Sequence, residues 1–117
     1  MSKFSKSKKL SRTYGHKKAM LKNMLASLVL HEQIKTTAAK AHTLKTSADK
    51  MISRAKKKDL NAIRYVYKSV NNKDARKKIF DVLVPRYEAR IGGVAQVFSI
   101  GKRLSDNSEM ALIKLMS

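Results

Sequence analysis

Histidines and carboxylates are the side chains of this sequence best suited to metal binding or acid–base chemistry. The three histidines, His16, His31 and His42, do not have the spacing of a ligand set, and His31-Glu32 lacks the second histidine of a zinc-hydrolase helix. Cysteine is absent, which excludes disulfides, thiolate nucleophiles and cysteine-based zinc sites and fits a reducing cytosol. The sequence therefore predicts no metal site.

Nucleotide-dependent or hydrolytic chemistry is not indicated either. Gly92-Gly93 is followed by Val94 rather than by the lysine and hydroxyl residue of a phosphate-binding loop. The eight aspartates and glutamates are scattered, and no pattern pairs two of them as acid and base. We predict a protein that is not an enzyme and uses no cofactor and no small-molecule substrate.

Positive charge is the dominant chemical property of the chain. Lys and Arg number 27 against 8 Asp and Glu, which gives a formal net charge of +19. A compact body with this charge repels itself, and a polyanion whose counterions are released on binding is the natural partner. The longest apolar stretch, residues 24–30, is far shorter than the ~20 residues of a spanning helix, and no signal-type apolar region follows the N-terminus. We expect nucleic acid, and not a membrane, as the partner.

The predicted binding residues begin in a basic arm, residues 1–12, which alternates serine with lysine and should be unstructured alone. No acidic residue precedes Glu32, so the arm and the helix after it are expected to form one binding surface. The candidates in these two segments are Lys3, Lys6, Lys8, Lys9, Arg12, His16, Lys17, Lys18 and Lys22. A merely solvated tail is the alternative for the arm.

Further candidates combine positive charge with hydroxyl groups, an aromatic ring or glycine backbone. They are Lys35, Thr36, Arg86, Tyr87, Arg90, Gly92, Gly93, Lys102 and Arg103. Glycine lets the backbone approach a phosphate closely, and a tyrosine can stack on a splayed base. Structural roles are the alternatives: Thr36 as a strand or cap residue, Tyr87 as a core aromatic, and Lys102 with Arg103 as a solvated turn.

Two other functions fit parts of the sequence. Charge alone does not distinguish RNA from DNA, so a DNA-binding or nucleoid protein is an alternative, although no recognition-helix motif is evident. A helical interaction module is another, because apolar residues of the second predicted helix resemble two heptads. Two heptads are too few for a stable coiled coil, and alanines favour close packing within one chain.

Periodicity predicts the elements that position these residues. Apolar residues at three- and four-residue spacing predict a helix over residues 16–31, and β-branched residues predict a short strand at 33–37 with Thr36 or Thr37 capping the next helix. The inward face of that second helix is expected to consist of Ala41, Leu44, Ala48, Met51, Ile52 and Ala55.

The remaining elements are two further helices and a hairpin. Asp59 is the predicted N-cap of a third helix, which ends at Asn71-Asn72 and whose apolar positions are Leu60, Ile63, Tyr67 and Val70. A fourth helix, with the stripe Ala75, Ile79, Phe80 and Leu83, should stop at Pro85. Residues 94–100, with Val94, Phe98 and Ile100 on one side, and residues 110–116 predict a β-hairpin. Residues 13–117 are therefore expected to form one α+β domain behind the arm.

Several ordered segments resemble the bacterial large-subunit ribosomal protein seventeen family, and together they cover nearly the whole chain. The matching pieces are Lys9-Leu10 with Arg12, residues 16–25, residues 34–37 with Ala39-Lys40-Ala41, Phe80-Asp81, Pro85-Arg86-Tyr87 with Arg90, Gly92-Gly93, and Met110-Ala111-Leu112-Ile113. The resemblance implies helices over a small mixed sheet, with an N-terminal extension buried in RNA. It also implies a cytoplasmic protein in one copy per ribosome, near the nascent-chain exit and beside other ribosomal proteins.

The sequence departs from the family pattern at several positions. Serines 2, 5 and 7 with Phe4 dilute a leader that is usually denser in arginine and histidine, and Val94-Ala95-Gln96 stands where the family tends to carry Tyr-Thr-Arg. An RNA contact by arginine at the third of these positions cannot be transferred to Gln96. Many family arginines are lysines here, which supply charge but not a planar bidentate fork.

Overall fold

A computed structural model of the chain describes residues 14–90 and 93–116. Its elements are α1 (Tyr14–His31), β1 (Gln33–Thr37), α2 (Ala38–Ala55), α3 (Leu60–Ser69), α4 (Lys73–Lys78), a π-helical turn (Ile79–Leu83), α5 (Val84–Tyr87), β2 (Ala95–Lys102) and β3 (Glu109–Leu115). The predicted arm with its five basic candidates, and Gly92, lie outside the described residues. Among the helices described, none combines the length and apolar character required to span a bilayer.

The three strands form one antiparallel sheet in the order β1-β3-β2. The α+β class, the helices and the β2–β3 hairpin are confirmed, whereas the mixed sheet implied by the resemblance is wrong because both pairings are antiparallel. In the central row of the sheet, Lys35 lies opposite Leu112, and Leu112 lies opposite Phe98. Lys35 and Phe98 of this row are exposed, whereas Ala111 and Ile113 on either side of Leu112 are buried, so the sheet has one face toward the helices and one away from them.

Helix α2 is the centre of the hydrophobic core. All six positions predicted for its inward face are buried, and α2 packs against α1, α3 and all three strands. From α1, the buried residues are Leu25, Leu28 and Val29, all in its C-terminal half. Fully burying an aliphatic side chain contributes about 1.5–3 kcal/mol to the stability of the fold, so the burial of these three residues holds α1 to the domain. Thr37 occupies the N-cap position of α2 as predicted, but its side chain makes no capping hydrogen bond.

Helix α3 begins as predicted but presents a different face to the core. The Asp59 carboxylate caps it by accepting from the Ala62 N–H at 2.8 Å. Ala62 and Val66 are buried, as is Val70 just after the helix, whereas Leu60 and Tyr67 are 61% and 53% exposed. The predicted stripe was therefore wrong in all but Val70. The small side chains allow a close approach to α2, and the Tyr67 ring instead packs under the Arg76 guanidinium at 4.3 Å.

The prediction that Pro85 ends the fourth helix is wrong. The backbone stays helical through Val84, at φ −61° and ψ −49°, and α5 extends to Tyr87. A π-helical turn precedes the proline, and the Val84 N–H donates to the Ile79 carbonyl, five residues back. This wider turn changes the local hydrogen-bond ladder where the missing N–H and the ring of proline would otherwise break an α-helix.

Strand β2 packs against the core with the face opposite to the one that its alternating apolar residues indicated. Ala95 is buried and Val97 packs on the core, whereas Phe98 and Ile100 are 45% and 46% exposed. The Ala95 N–H donates to the Asp49 carboxylate of α2 at 3.1 Å, which fixes the register at the start of the strand. Because side chains alternate along a strand, this anchor turns Phe98 outward.

Glu32 joins α1 to the rest of the domain. It ends α1 in the left-handed conformation, at φ +63°, and its carbonyl accepts from the Leu115 N–H at 2.8 Å. Its carboxylate accepts from Arg86 at 2.6 and 3.3 Å and lies 2.9 Å from the Lys78 ammonium. The hydrogen bonds from Arg86 and then Lys78 lower the pKa of Glu32 to about 2, and the same contact raises that of Arg86.

Removing the Glu32 charge should destabilise the fold in a pH-dependent way. The pKa of Glu32 is lower in the folded chain than its ordinary 4.5, so its contribution is complete above pH 4.5 and is lost as the pH falls toward 2. For Glu32→Gln we expect a loss of about 1–2 kcal/mol at pH 7, allowing for solvent screening, and less than half of that at about pH 3. Urea unfolding across this pH range measures it.

Glu88→Gln is the matched control, because it removes the same charge from an exposed pair with Lys58. Its stability should stay close to that of the parent protein. An equal effect of both substitutions, or a loss at Glu32 that does not change with pH, would contradict the assigned role of the ion pair.

The face assignment of α3 is tested by two truncations. Val66 is fully buried, so Val66→Ala leaves a cavity against α2 and should cost about 2 kcal/mol in the free energy of unfolding. Ile63 is 40% exposed, so Ile63→Ala should cost less than about 1 kcal/mol. Chemical denaturation compares the two, and a larger loss at Ile63 would restore the face predicted from the sequence.

Candidate nucleic-acid interface

Helix α1 lies between four open grooves. Each groove is lined by Lys17, Lys18 or Lys22, and their volumes are about 260, 410, 390 and 320 Å³. We call this region the α1 surface and define it by the residues that line the four grooves. It brings together three of the lysines predicted to bind nucleic acid.

The side chains around these lysines are suited to bind phosphate and sugar oxygens. The grooves contain hydroxyl and amide groups from α1, α2, α3 and the turn after α3, and none of their lining residues is acidic. The polar uncharged members are Asn23, Ser27, Thr43, Thr46, Ser47, Tyr65, Ser69, Asn71 and Asn72. The hydroxyls of Thr43, Thr46 and Ser69 donate to backbone carbonyls within their own helices. The asparagine amides and the other serine hydroxyls are therefore the groups that add hydrogen bonds to the attraction that the lysines exert on phosphates.

Helical spacing explains why the lysines lie in grooves rather than opposite the core. Lys18 and Lys22 precede Leu25 and Val29 by seven residues, so they lie on the same side of α1 as the buried stripe. The buried core begins at Leu25 along this helix. In the first turns of α1 the core-facing side is therefore left open, and the lysines occupy it.

Three further basic residues of the α1 surface were not predicted. His42 and Lys45 of α2 line one groove with Lys17, and Lys68 of α3 lines another with Lys18. The ammonium of Lys45 also contacts the Asp49 carboxylate at 2.8 Å. Their basic character was visible in the sequence, but their proximity to α1 depends on helix packing, which no local pattern revealed.

The remaining candidates with known placement do not form a second cluster with the same properties. Lys35 is exposed on the outer face of β1, and Thr36 points to the opposite face because strand side chains alternate. Lys102 and Arg103 are exposed near the hairpin turn, and Arg103 binds the Asp106 carboxylate at 3.0 and 2.9 Å. That contact holds the pKa of Asp106 well below its usual range.

The segment after Pro85 has structural contacts. Arg86 is held by Glu32, and Tyr87 is buried, with its hydroxyl donating to the Met116 carbonyl. A base cannot stack on Tyr87 in this fold, so we leave it out of the interface. Arg90 is exposed, and its carbonyl accepts from the Lys56 ammonium. Gly93 has φ +64°, a conformation that favours glycine.

The described side chains are not arranged to coordinate a metal ion. Within residues 14–90 and 93–116, no three side chains of the types that bind metals come close enough to share an ion. The arrangement that stands out chemically is the lysine-lined, acid-free α1 surface.

Comparison with known proteins identifies the family. The profile of the family "Ribosomal protein L17" matches residues 20–116. Proteins named "Large ribosomal subunit protein bL17" from Endomicrobium trichonymphae and Elusimicrobium minutum are 44% and 42% identical over 109 residues, which is 93% of this chain and 93% of each relative. The bL17 of Maricaulis maris is 48% identical over 109 residues, 93% of this chain and 78% of the relative. The chain therefore belongs to the ribosomal protein L17 family.

Proposed function

We propose that this protein is a structural constituent of the large ribosomal subunit, where it binds and stabilises folded ribosomal RNA. Its relatives are named as large-subunit proteins, and family membership confirms the prediction that the chain is not an enzyme. The observation that carries the RNA-binding part is the α1 surface, in which lysines and neutral hydrogen-bonding groups from four segments meet without an acidic residue.

The mode of binding follows from the geometry of folded RNA. Closely spaced phosphates on neighbouring strands attract lysines and release counterions as they bind. The grooves beside α1 provide recesses in which a phosphate–sugar chain contacts Lys18 and Lys22 together with hydroxyl or amide donors. Contacts of this kind are made to phosphates and sugars and carry no sequence information directly, so the proposed binding recognises mainly RNA shape.

The orientation of α1 increases the attraction. The helix begins at Tyr14, and its first turn contains no acidic residue. The partial positive charge at a helix N-terminus therefore adds to the charges of Lys17 and Lys18 instead of being neutralised. We infer that the predicted basic arm, residues 1–12, continues this binding surface and enters RNA crevices, ordering as it binds.

The finer location is also part of the proposal. The family resemblance supports a site near the nascent-chain exit, in one copy per ribosome and beside other large-subunit proteins in the cytoplasm. Sedimentation tests the assignment: a tagged chain should travel with large subunits in low salt and be released in high salt. Cofractionation with the nucleoid would instead favour the DNA-binding alternative.

Charge removal from the α1 surface should weaken RNA binding specifically. For Lys18→Gln/Lys22→Gln we expect affinity for large-subunit RNA to fall by roughly tenfold, and the salt dependence to become shallower by about 1.5 in the log–log slope, because two phosphate contacts are lost. Filter binding at several salt concentrations measures both quantities.

Lys57→Gln/Lys58→Gln is the matched control for this pair. It removes the same charge from the end of α2, where Lys58 already contacts Glu88 at 2.9 Å. We expect at most a small change in affinity. If both double variants weaken binding equally, only net charge matters and the α1 surface is not the interface.

Deleting residues 1–12 should weaken RNA association and flatten its salt dependence, because five basic residues are removed. The folded domain should be retained, since the core is built from residues 25–115. Circular dichroism of the truncated chain should therefore show nearly unchanged helix content. Loss of helical signal would mean that the arm has a structural role, and unchanged RNA affinity would mean that it is a solvated tail.

A further inference from the structure

The outer face of the sheet has a continuous strip of apolar side chains. Phe98 and Ile100 are close to half exposed, and Phe98 lies directly opposite Leu112 in the β2–β3 register. Met110, two residues before Leu112, lies on the same face of the central strand and is half-buried. The helices pack on the other face, against residues that include Ala111 and Ile113. The strip is therefore the exposed apolar face of the sheet.

Lysines border this strip. Lys35 lies opposite Leu112 on the β1 side, and Lys114 follows Leu112 on the same face of β3. Both lysines are exposed. The sheet face thus combines a central apolar strip with a positive rim, which is the arrangement of a protein-binding patch.

Resting on the function proposed above, we propose that this strip is a docking site for a segment of another protein of the same ribosomal particle. The segment should contribute apolar side chains to contact Phe98, Ile100 and Leu112, and carboxylates to pair with Lys35 and Lys114. The charge of the rim determines this choice, since an acidic partner gains from the lysines while its apolar residues remove the strip from water.

The chemistry of the strip disfavours the other occupants. Phe98 is the one side chain of the strip with a π-face on which a base could stack, and burying Ile100, Leu112 and Met110 against phosphate and ribose recovers little hydrophobic free energy. A second copy of the chain would bring together two bodies of net charge +19 and two rims of lysine. A partner protein with acidic and apolar residues is the occupant that satisfies both the strip and its rim.

Site-directed photocross-linking in assembled ribosomes tests the proposal. The full chain is expressed in bacteria with p-benzoylphenylalanine in place of Phe98, which keeps an aromatic side chain, or in place of Lys18 on the α1 surface. Large subunits are isolated and irradiated, and the adducts are identified by nuclease sensitivity and mass spectrometry. Position 98 should yield a peptide of another ribosomal protein with carboxylates next to apolar residues, and position 18 should yield RNA.

The outcomes separate the two proposals. RNA or a second copy at position 98, a peptide without carboxylates, or no adduct there overturns the docking site, while RNA at position 18 leaves the proposed function in place. If the chain is absent from large subunits, or position 18 gives no RNA adduct in them, the proposed function itself fails.

A binding measurement then tests the strip directly. A synthetic peptide copied from the cross-linked segment should bind Phe98→Thr/Ile100→Thr about tenfold or more weakly than the parent chain, because the central apolar contacts are lost. Leu60→Gln/Ile63→Gln is the control, since it replaces two exposed apolar residues on α3 instead. Equal affinity of parent and sheet variant, or an equal loss in the control, overturns the proposal.

Discussion

Repulsion among the positive charges of a chain with net charge +19 is the main constraint that this fold has to accommodate. Only eight acidic residues oppose it, and half of them join separate parts of the fold or stabilise its ends. Glu32 ties the end of α1 to Arg86 and Lys78, Asp49 anchors the start of β2, Asp59 caps α3, and Glu88 pairs with Lys58. The contacts of Glu32, Asp49 and Asp59 stabilise the fold, whereas the Lys58–Glu88 pair is exposed and contributes little. None of the four carboxylates lines the α1 surface.

Helix α2 separates two surfaces with different chemistry. On the helical side, the grooves beside α1 gather lysines and neutral polar groups, which suits a highly charged partner that is bound mainly through its backbone. On the outer side of the sheet, Phe98 and Leu112 form an apolar strip with lysines at its rim. The first surface suits the RNA binding, and the second the protein docking, that are proposed above.

The elements with strong periodicity could be predicted from the sequence. The errors occurred where two different faces of the same element showed the same spacing of apolar residues. In α3, Leu60, Ile63 and Tyr67 have helical spacing, but so do Ala62 and Val66, and hydrophobicity alone favours the larger set. Packing against α2 selects the smaller residues because they permit closer approach. Pro85 shows another limit, since a π-helical turn formed by the preceding residues overrides a local rule.

The sequence predicted that the candidate site is positively charged, but it did not predict which residues form one surface. Lys18 and Arg86 are equally good candidates in the sequence, yet the fold places Arg86 against Glu32, 54 residues away along the chain, and leaves Lys18 in two acid-free grooves. Lys68 gains its place only through helix packing. Whether a basic side chain is available to bind RNA thus depends on which carboxylates the fold brings near it. Tertiary contacts determine this, and pairing between residues far apart in the chain leaves no local pattern in the sequence.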